Sequence, residues 1–326
     1  MIELIDILPD DVEKALELEK TIDVKFKGIK NVCIGGMGGS AIGGDLISSF
    51  ASQMSSVPVF VVRDYELPRF VDSHTLFIGI SYSGNTEETV SLYKKARKKK
   101  AKMVVITSNG MLEDMAVKDN VFTINIPKGY PPRAAIAYLF FPLVFIMRKS
   151  GLLDIKQKEL KEVVSVLKSD REKAKQWAEE VSLKVIEKVP FIYAEEKFMP
   201  VAKRWVTQIN ENSKALAHFA TIPELDHNEI VGWENPKELL KRFFIIFFRS
   251  DMESERMKKR IDITIELLES VVGEITQVRT TGEGYIAQAF SLIQKGDYLS
   301  YYLAMNYGVE PYPVKRIEEL KRRMAE

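Results

Sequence analysis

Short apolar runs alternate with segments of helical spacing along the first 126 residues. One helical segment, residues 10–22, precedes the first run, and another continues through Lys99. Strands that alternate with helices are typical of a parallel, doubly wound sheet. The pattern therefore predicts an α/β domain with strands at Asn31–Ile34, Val57–Val62, Thr75–Ile80, Lys102–Thr107 and Val121–Ile126.

A charged, amphipathic helical pattern fills residues 151–189, and the alternation of strands and helices then begins again. Here the sequence predicts strands at Val189–Tyr193, Phe243–Phe248 and Ile275–Val278, and helices over Ile286–Lys295, Asp297–Tyr307 and from Val314 onward. We therefore predict two α/β domains, residues 1–150 and residues 151–326, each a parallel sheet flanked by helices.

Composition narrows the class of protein. The most apolar window, Ala134–Met147, is too short to span a bilayer and predicts a buried helix. The first residues lack a signal-peptide pattern. Lys and Arg number 47 against 46 Asp and Glu, a balance that argues against nucleic-acid or membrane partners. The single cysteine, Cys33, lies in an apolar run, where a buried thiol is expected rather than a catalytic one. A cytoplasmic setting fits these features.

Six glycines lie among the ten residues from Gly35 to Gly44, directly after the first predicted strand. Such a run predicts sharp turning and close backbone approach. It imperfectly resembles the turn of dinucleotide-binding folds, but the acidic residue expected about twenty positions later is missing, and Asp64 is the nearest. Two interpretations stay open. The glycines pack a helix on the sheet, or Gly39 and Ser40 face a ligand.

A second turn carries three hydroxyl side chains, Ser81, Ser83 and Thr86, around Gly84. Hydroxyls and free backbone N–H groups at a helix start form a site for a phosphate dianion. The turn contains no lysine, unlike a nucleotide-binding P-loop, so a sugar phosphate is the simplest ligand. Both turns are expected at the carboxyl edge of one sheet, where ligands bind. The alternative is a helix cap, for which one hydroxyl would suffice.

Glu211 is the candidate general base. It lies in the polar stretch Gln208–Lys214, within a helical segment that begins near Pro200. A carboxylate between the apolar neighbours of this stretch is expected to be partly buried, which suits a group that accepts protons. A solvated helix face is the alternative.

Among the three histidines, His227 is the candidate acid/base. The polar side chains of Asp226–Glu229 are predicted to orient its imidazole for proton transfer near neutral pH. His74 lies in a surface-like connector and is predicted to be inert. His218 is predicted to be a structural histidine on an apolar helical stretch. Their spacing does not suit zinc, and we predict no metal site.

The chain resembles the archaeal bifunctional phosphoglucose/phosphomannose isomerases, members of the sugar-isomerase (SIS) domain superfamily. Four motifs carry the resemblance, in order along nearly the whole chain: Gly35–Ser40, Ser81–Thr89, Asn210–Lys214 and Glu224–Glu229. The resemblance implies two SIS domains of α/β/α architecture and a homodimer. It also implies interconversion of aldose and ketose 6-phosphates without a metal or a cofactor.

The resemblance assigns a role to individual residues by position. The residues that would hold the substrate phosphate are Gly38, Gly39, Ser40, Ser81, Ser83 and Thr86. Glu211 would move a proton between C1 and C2 through a cis-enediol, and Arg133 would stabilise the enediolate. His227, donated by the partner subunit, would open the sugar ring, assisted by a lysine of the last helix.

Lys315 and Lys321 both fit that assisting role. Val314, Ile317 and Met324 share one face of the last helix and predict an inward stripe. Lys321 falls on this stripe and Lys315 falls off it, so we predict Lys321. A lysine stem that merely runs along the margin of the stripe is the alternative.

Arg133 follows Pro131 and Pro132, which fix the backbone and suit a positioned charge, although a simple pairing with an acid or a carbonyl is the alternative. In the family that the chain resembles, a hydroxyl residue near the start of the last helix accompanies acceptance of the C2 epimer, mannose 6-phosphate. Pro311–Val314 contains none, so glucose 6-phosphate is the firmer substrate and mannose 6-phosphate the second.

A sugar-phosphate sensor is the alternative function. SIS domains also serve as non-catalytic sensors. Such a sensor would keep the hydroxyl cradle, formed by Ser40, Ser81, Ser83 and Thr86, and would have no need of Glu211, His227 or Lys321. The isomerase is the function that we predict, because the sequence supplies one base, one ring-opening acid and one cation.

Overall fold

The computed structural model describes residues 1–324. They form two compact units. The N-terminal unit comprises Ile7–Lys168 and Gly284–Ala287, and the C-terminal unit comprises Met1–Asp6, Ser169–Glu283 and the described chain from Gln288. The units divide the chain after Lys168, whereas the predicted boundary lies at residue 150. The last two positions of the predicted domain 151–326 lie outside the described residues.

All strands run parallel within two sheets. The strands are β1 (Asn31–Gly35), β2 (Val59–Val62), β3 (Thr75–Ser81), β4 (Lys102–Thr107), β5 (Phe122–Asn125), β6 (Val189–Glu195), β7 (His218–Ile222), β8 (Phe243–Arg249) and β9 (Glu274–Arg279). The N-terminal unit holds the sheet β2-β1-β3-β4-β5, and the C-terminal unit holds the sheet β7-β6-β8-β9. The predicted α/β class with two parallel sheets is confirmed.

Helices separate the strands. The α-helices are α1 (Ile2–Asp6), α2 (Leu8–Glu17), α3 (Gly38–Ala51), α4 (Glu87–Lys98), α5 (Met111–Lys118), α6 (Ile136–Lys149), α7 (Gln157–Val185), α8 (Met199–Gln208), α9 (Glu229–Gly232), α10 (Lys237–Leu240), α11 (Glu255–Glu269), α12 (Tyr285–Asn306) and α13 (Lys315–Met324). A π-helix, Ile209–Ser213, follows α8 directly. Short 3-10 turns include Pro132–Ala134 and Glu224–His227.

The apolar runs of the sequence form buried strands in both sheets. Every residue of β3 is buried, as expected for a central strand covered on both faces. In the N-terminal unit Phe77 packs with Leu92 of α4. In the C-terminal unit Phe247 packs with Leu268 of α11. Residues 136–147 of α6 are all buried, which confirms the buried helix predicted there.

The structure corrects two predicted elements. His218 begins the edge strand β7 and is exposed, so the helical stretch predicted around it is wrong. The two helices predicted on either side of Gly296 are one continuous helix, α12. A Cβ at Gly296 would lie 2.2 Å from Nε1 of Trp205, so this glycine serves close packing against α8 and not a break in the helix.

Candidate active site

The first predicted turn and the second meet at one edge of the N-terminal sheet. β1 and β3 are neighbours, with Gly35 paired to Gly79. Ser40, in the first turn of α3, is buried, and its Oγ accepts a hydrogen bond of 3.2 Å from the N–H of Tyr82. The structure therefore brings Ser40 to the turn after β3, at the carboxyl edge where ligands of parallel sheets bind.

Two of the three hydroxyls of the second turn face each other. Ser81 Oγ and Thr86 Oγ1 lie 2.9 Å apart and share a hydrogen bond. Thr86 occupies the N-cap position of α4, but its side chain makes no capping hydrogen bond. Ser83 Oγ accepts a 3.3 Å bond from the N–H of Asn85. The hydroxyl of Thr86 is thus turned toward Ser81 and does not cap α4, whereas the phosphate-binding role of these hydroxyls stays a prediction.

Two glycines of the glycine-rich run permit close backbone packing, and a ligand contact of Gly39 and Ser40 stays a prediction. A Cβ at Gly43 would lie 2.7 Å from the carbonyl oxygen of Leu139, so Gly43 permits close packing of α3 on α6. A Cβ at Gly39 would instead lie 2.9 Å from the carbonyl oxygen of Pro132 and 3.0 Å from the nitrogen of Arg133. Gly39 therefore brings the backbone of buried Arg133 against the start of α3, beside Ser40.

A tyrosine network supports the loop that carries Arg133, and the sequence interpretation missed it. Tyr82 Oη donates to the carbonyl of Pro127 at 2.8 Å and accepts from the N–H of Tyr130 at 2.8 Å. The hydroxyls of Tyr130 and Tyr138 both donate to Oδ1 of buried Asp11, at 2.8 and 3.0 Å. Burial raises the pKa of Asp11, and the two tyrosine bonds offset part of that rise. These contacts span more than forty residues, so no local pattern signals them.

Glu211 lies on the π-helix that follows α8. The wider turn of a π-helix changes the regular spacing of side chains that α8 has. Asn212 Nδ2 donates to Ser300 Oγ at 2.9 Å, and Ser213 Oγ donates to the carbonyl of Ser300 at 2.6 Å. Both bonds are buried and fix the π-helix to α12. Single π-turns of this kind are frequent at functional sites. Glu211 itself is partly buried, as predicted.

A cavity of about 710 Å³ opens beside Glu211 in the C-terminal unit. Lys315 lines it together with Glu211, and Lys321 is not among its lining residues. The choice of Lys321 assumed that the stripe of α13 faces inward, but α13 buries none of its described residues, and Ile317 and Met324 are 41% and 56% exposed. That premise is wrong for this chain. The assisting role of Lys321 therefore stays a prediction, with Lys315 as the lysine that shares the cavity.

His227 ends the 3-10 turn Glu224–His227 and is exposed. Its acidic neighbours bond elsewhere and do not orient the imidazole directly, which corrects the sequence interpretation. Asp226 accepts bonds from Arg260 at 3.2 Å and Thr264 Oγ1 at 3.0 Å, both on α11. The turn is therefore anchored to α11, and His227 projects from an anchored segment.

Glu229 provides a second anchor, two residues beyond His227. It accepts a bond from the hydroxyl of Tyr193 and lies 3.1 Å from Nε2 of His218. Burial by itself would raise the pKa of Glu229, but the bonds from His218 and Tyr193 outweigh burial and hold the pKa below its ordinary value. Glu229 therefore stays ionised and ties the segment to β6 and β7.

Three further observations concern expectations from composition. Cys33 is buried, as predicted, and burial raises the pKa of its thiol to about 12. Within residues 1–324, no cluster of three or more His, Cys, Asp or Glu side chains is arranged to hold a metal ion. No helix in that range has the length and apolarity needed to cross a membrane. A reaction without metal stays a prediction.

Models of known protein families match two separate parts of the chain. A family model described as the bacterial phospho-glucose isomerase C-terminal SIS domain matches residues 171–324, and a SIS domain model matches residues 25–147. A bifunctional phosphoglucose/phosphomannose isomerase from Caldicellulosiruptor bescii is 44% identical over 336 residues, which cover 100% of this chain and 99% of the relative.

The chain belongs to the bifunctional phosphoglucose/phosphomannose isomerase family. Another relative of that name, from Thermoplasma acidophilum, is 37% identical and is covered over 96% of each chain. The C-terminal domain of glucosamine-fructose-6-phosphate aminotransferase from Francisella tularensis superposes with a TM-score of 0.76 at 17% identity, over 95% of this chain and 97% of that one. At this identity the likeness concerns the fold alone, which is that of two SIS domains. The predicted membership of the isomerase family is confirmed.

Proposed function

We propose that this protein interconverts glucose 6-phosphate and fructose 6-phosphate, and also mannose 6-phosphate and fructose 6-phosphate. Family membership supports the reaction class. The main structural support is the position of Glu211. It lies on the π-helix and lines a cavity of about 710 Å³. An aldose–ketose isomerisation needs one carboxylate that moves a proton between neighbouring carbons.

The remaining groups supply what the proton transfer requires. Ser40, Ser81, Ser83 and Thr86, with Gly38 and Gly39, hold the phosphate, which is remote from the reacting carbons and so provides binding energy for orientation. Glu211 takes the proton from C2 of the open-chain aldose and returns it to C1. Arg133 stabilises the negative charge of the enediolate oxygen. His227 opens the ring, and Lys315 or Lys321 assists it.

The assembly is part of the proposal. We infer a homodimer in which His227 acts in the active site of the partner subunit. The apolar face of α13 supports an interface, because Ile317, Leu320 and Met324 are 41%, 59% and 56% exposed in the single chain. A cytoplasmic location is supported by the single, buried cysteine.

The non-catalytic sensor is the competing function, and the site itself opposes it. A sensor needs the hydroxyl cradle at the edge of the N-terminal sheet. It has no need of a carboxylate on a π-helix that two buried hydrogen bonds hold beside the cavity of the C-terminal unit.

The test is a coupled assay of wild type and Glu211→Gln with glucose 6-phosphate and with mannose 6-phosphate. Loss of a general base is expected to lower kcat about 100- to 10,000-fold. Binding of fructose 6-phosphate, measured by calorimetry, is expected to persist in the variant, because the phosphate contacts are intact. Wild type that binds but turns over neither aldose would establish the sensor. Near-normal turnover by Glu211→Gln would show that the base is another residue.

A further inference from the structure

Lys214, directly after the π-helix, adopts an unusual backbone conformation. Its φ is 55° and its ψ is 28°, in the left-handed region. Glycine and asparagine adopt this conformation readily, whereas a lysine Cβ is crowded in it. A position that only had to end the helix would be better served by glycine. The contacts of the Lys214 side chain therefore decide whether it contributes something that glycine lacks.

The ammonium group of Lys214 shows what that contribution is. Nζ donates to the carbonyl of Glu211 at 2.6 Å, to the carbonyl of Pro311 at 3.1 Å and to the carbonyl of Asn212 at 3.4 Å. Two of these carbonyls belong to the π-helix and the third to the chain that leads into α13. The left-handed turn allows the side chain to fold back over the end of its own helix, and so to reach all three.

Pro311 lies two residues before Pro313, in a segment that lines the cavity. Pro313 to Ile317, which include Lys315, line this cavity together with Asn210 and Glu211. Lys214 itself lines the same cavity. The three hydrogen bonds thus join the π-helix to the segment before α13 through one cation, which directly contacts the backbone carbonyl of Glu211.

We propose that Lys214 is a positioning residue for the isomerisation. It fixes the backbone of Glu211 relative to the start of α13, so that the carboxylate and the lysine of the last helix face one substrate. This inference rests on the proposed function of Glu211. A displacement of about 1 Å of a catalytic group can lower turnover by about 100-fold, so loss of the three hydrogen bonds of Lys214 is expected to reduce kcat through misplacement of Glu211.

A pair of glycine substitutions separates this role from simple helix termination. Lys100 has a φ of 59° at the end of α4, is exposed, and closes that helix with backbone bonds from Lys100 to Arg97 and from Ala101 to Ala96. Lys100→Gly is therefore the matched control for Lys214→Gly. Relief of the left-handed strain is expected to raise the melting temperature of Lys100→Gly at unchanged kcat.

Lys214→Gly is expected to lower kcat about 10- to 100-fold, while KM for fructose 6-phosphate changes by less than about threefold, because the phosphate contacts lie elsewhere. A merely structural cap predicts the opposite result, in which both glycine variants gain stability and both keep kcat. Full activity of Lys214→Gly overturns the proposal.

Chemical rescue tests the ammonium itself and does not depend on the glycine variant. Lys214→Cys places a thiol on the cavity wall, and Cys33 does not compete because it is buried. Its thiolate displaces bromide from 2-bromoethylamine, which forms a C–S bond and restores a primary amine at nearly the length of lysine. We expect Lys214→Cys to lose turnover, aminoethylation to restore most of it, and neutral alkylation with iodoacetamide to restore none. Absence of rescue by the amine overturns the proposal.

Glu211→Gln, assayed in parallel, distinguishes the two levels of inference. If Glu211→Gln is inactive and Lys214→Gly is fully active, the base is correct and the positioning role is wrong. If Glu211→Gln keeps near-normal turnover, the proposed function of Glu211 is wrong, and the purpose assigned to Lys214 is wrong with it.

Discussion

Gly39 occupies a place where one added carbon would collide with backbone. The nearest atoms to its hypothetical Cβ are the carbonyl carbon and oxygen of Pro132 and the nitrogen of Arg133, at 2.9, 2.9 and 3.0 Å. Backbone atoms cannot rotate away as a flexible side chain can, so α3 or the Pro132–Ala134 turn has to move. The positions of the Ser40 hydroxyl and of the Arg133 side chain depend on that contact.

We therefore expect Gly39→Ala to lower kcat about 10- to 100-fold through misplacement of Arg133. The overpacked contact is expected to cost about 1–3 kcal/mol of unfolding free energy, measured by urea denaturation. Gly232→Ala is the matched control, because a Cβ at Gly232 meets no atom within 4 Å among the described residues. Full activity of Gly39→Ala would show that the reaction does not depend on the position of Arg133.

At the scale of elements, the anchored segment around His227 depends on an ionised Glu229. The pKa of Glu229 is lowered in the folded protein, so the unfolded chain binds its proton more readily. The stabilisation is therefore fully present above the ordinary pKa of 4.5 and is lost as the pH falls through the lower, folded value.

Glu229→Gln is expected to remove this pH-dependent part of the stability. The difference in unfolding free energy between wild type and variant should shrink as the pH falls below about 4.5. Urea denaturation at a series of pH values measures it. Glu266→Gln, on the exposed side of α11, removes the same charge outside such a network and serves as the control. A difference that does not change with pH would contradict the assigned cause.

The sequence predicted the central strands well because they are buried on both faces, as in β3, and therefore consist of continuous apolar runs. It missed β7, which is an edge strand whose first residue, His218, is exposed. It also placed a break at Gly296, because the contact of that glycine with Trp205 lies about ninety residues away along the chain.

The same distinction holds for the site. The hydroxyls of the cradle and Glu211 lie in local motifs, and the sequence therefore indicated them. The π-helix depends on Ser300, 88 residues from Asn212, and the reach of Lys214 to Pro311 spans 97 residues. Exposure of the α13 stripe was not predictable either, since periodicity indicates an apolar face but not what covers it.

At the scale of the whole molecule, the candidate residues are divided between the two compact units. The hydroxyl cradle and Arg133 belong to the N-terminal unit, whereas Glu211 and His227 belong to the C-terminal unit. If His227 acts in the partner's site, as we propose, then each active site draws residues from two chains. That arrangement makes a prediction that no single-chain site can satisfy.

Glu211→Gln and His227→Ala are each expected to be nearly inactive as homodimers. After mixing and subunit exchange, half of the dimers carry one chain of each kind, and one of their two sites then contains both wild-type residues. Activity is therefore expected to recover to about one quarter of the wild-type value, by the two-fold symmetry of such a dimer.

A mixture of Glu211→Gln with the double variant Glu211→Gln/His227→Ala is the control, because none of its dimers contains an intact site. Differently tagged chains report whether exchange has occurred, and light scattering reports the oligomeric state. If heterodimers form and activity stays at the sum of the two parents, His227 acts within its own chain. In that case contact between subunits does not complete the active site, and the isomerase would retain full activity in any variant that remains folded as a monomer.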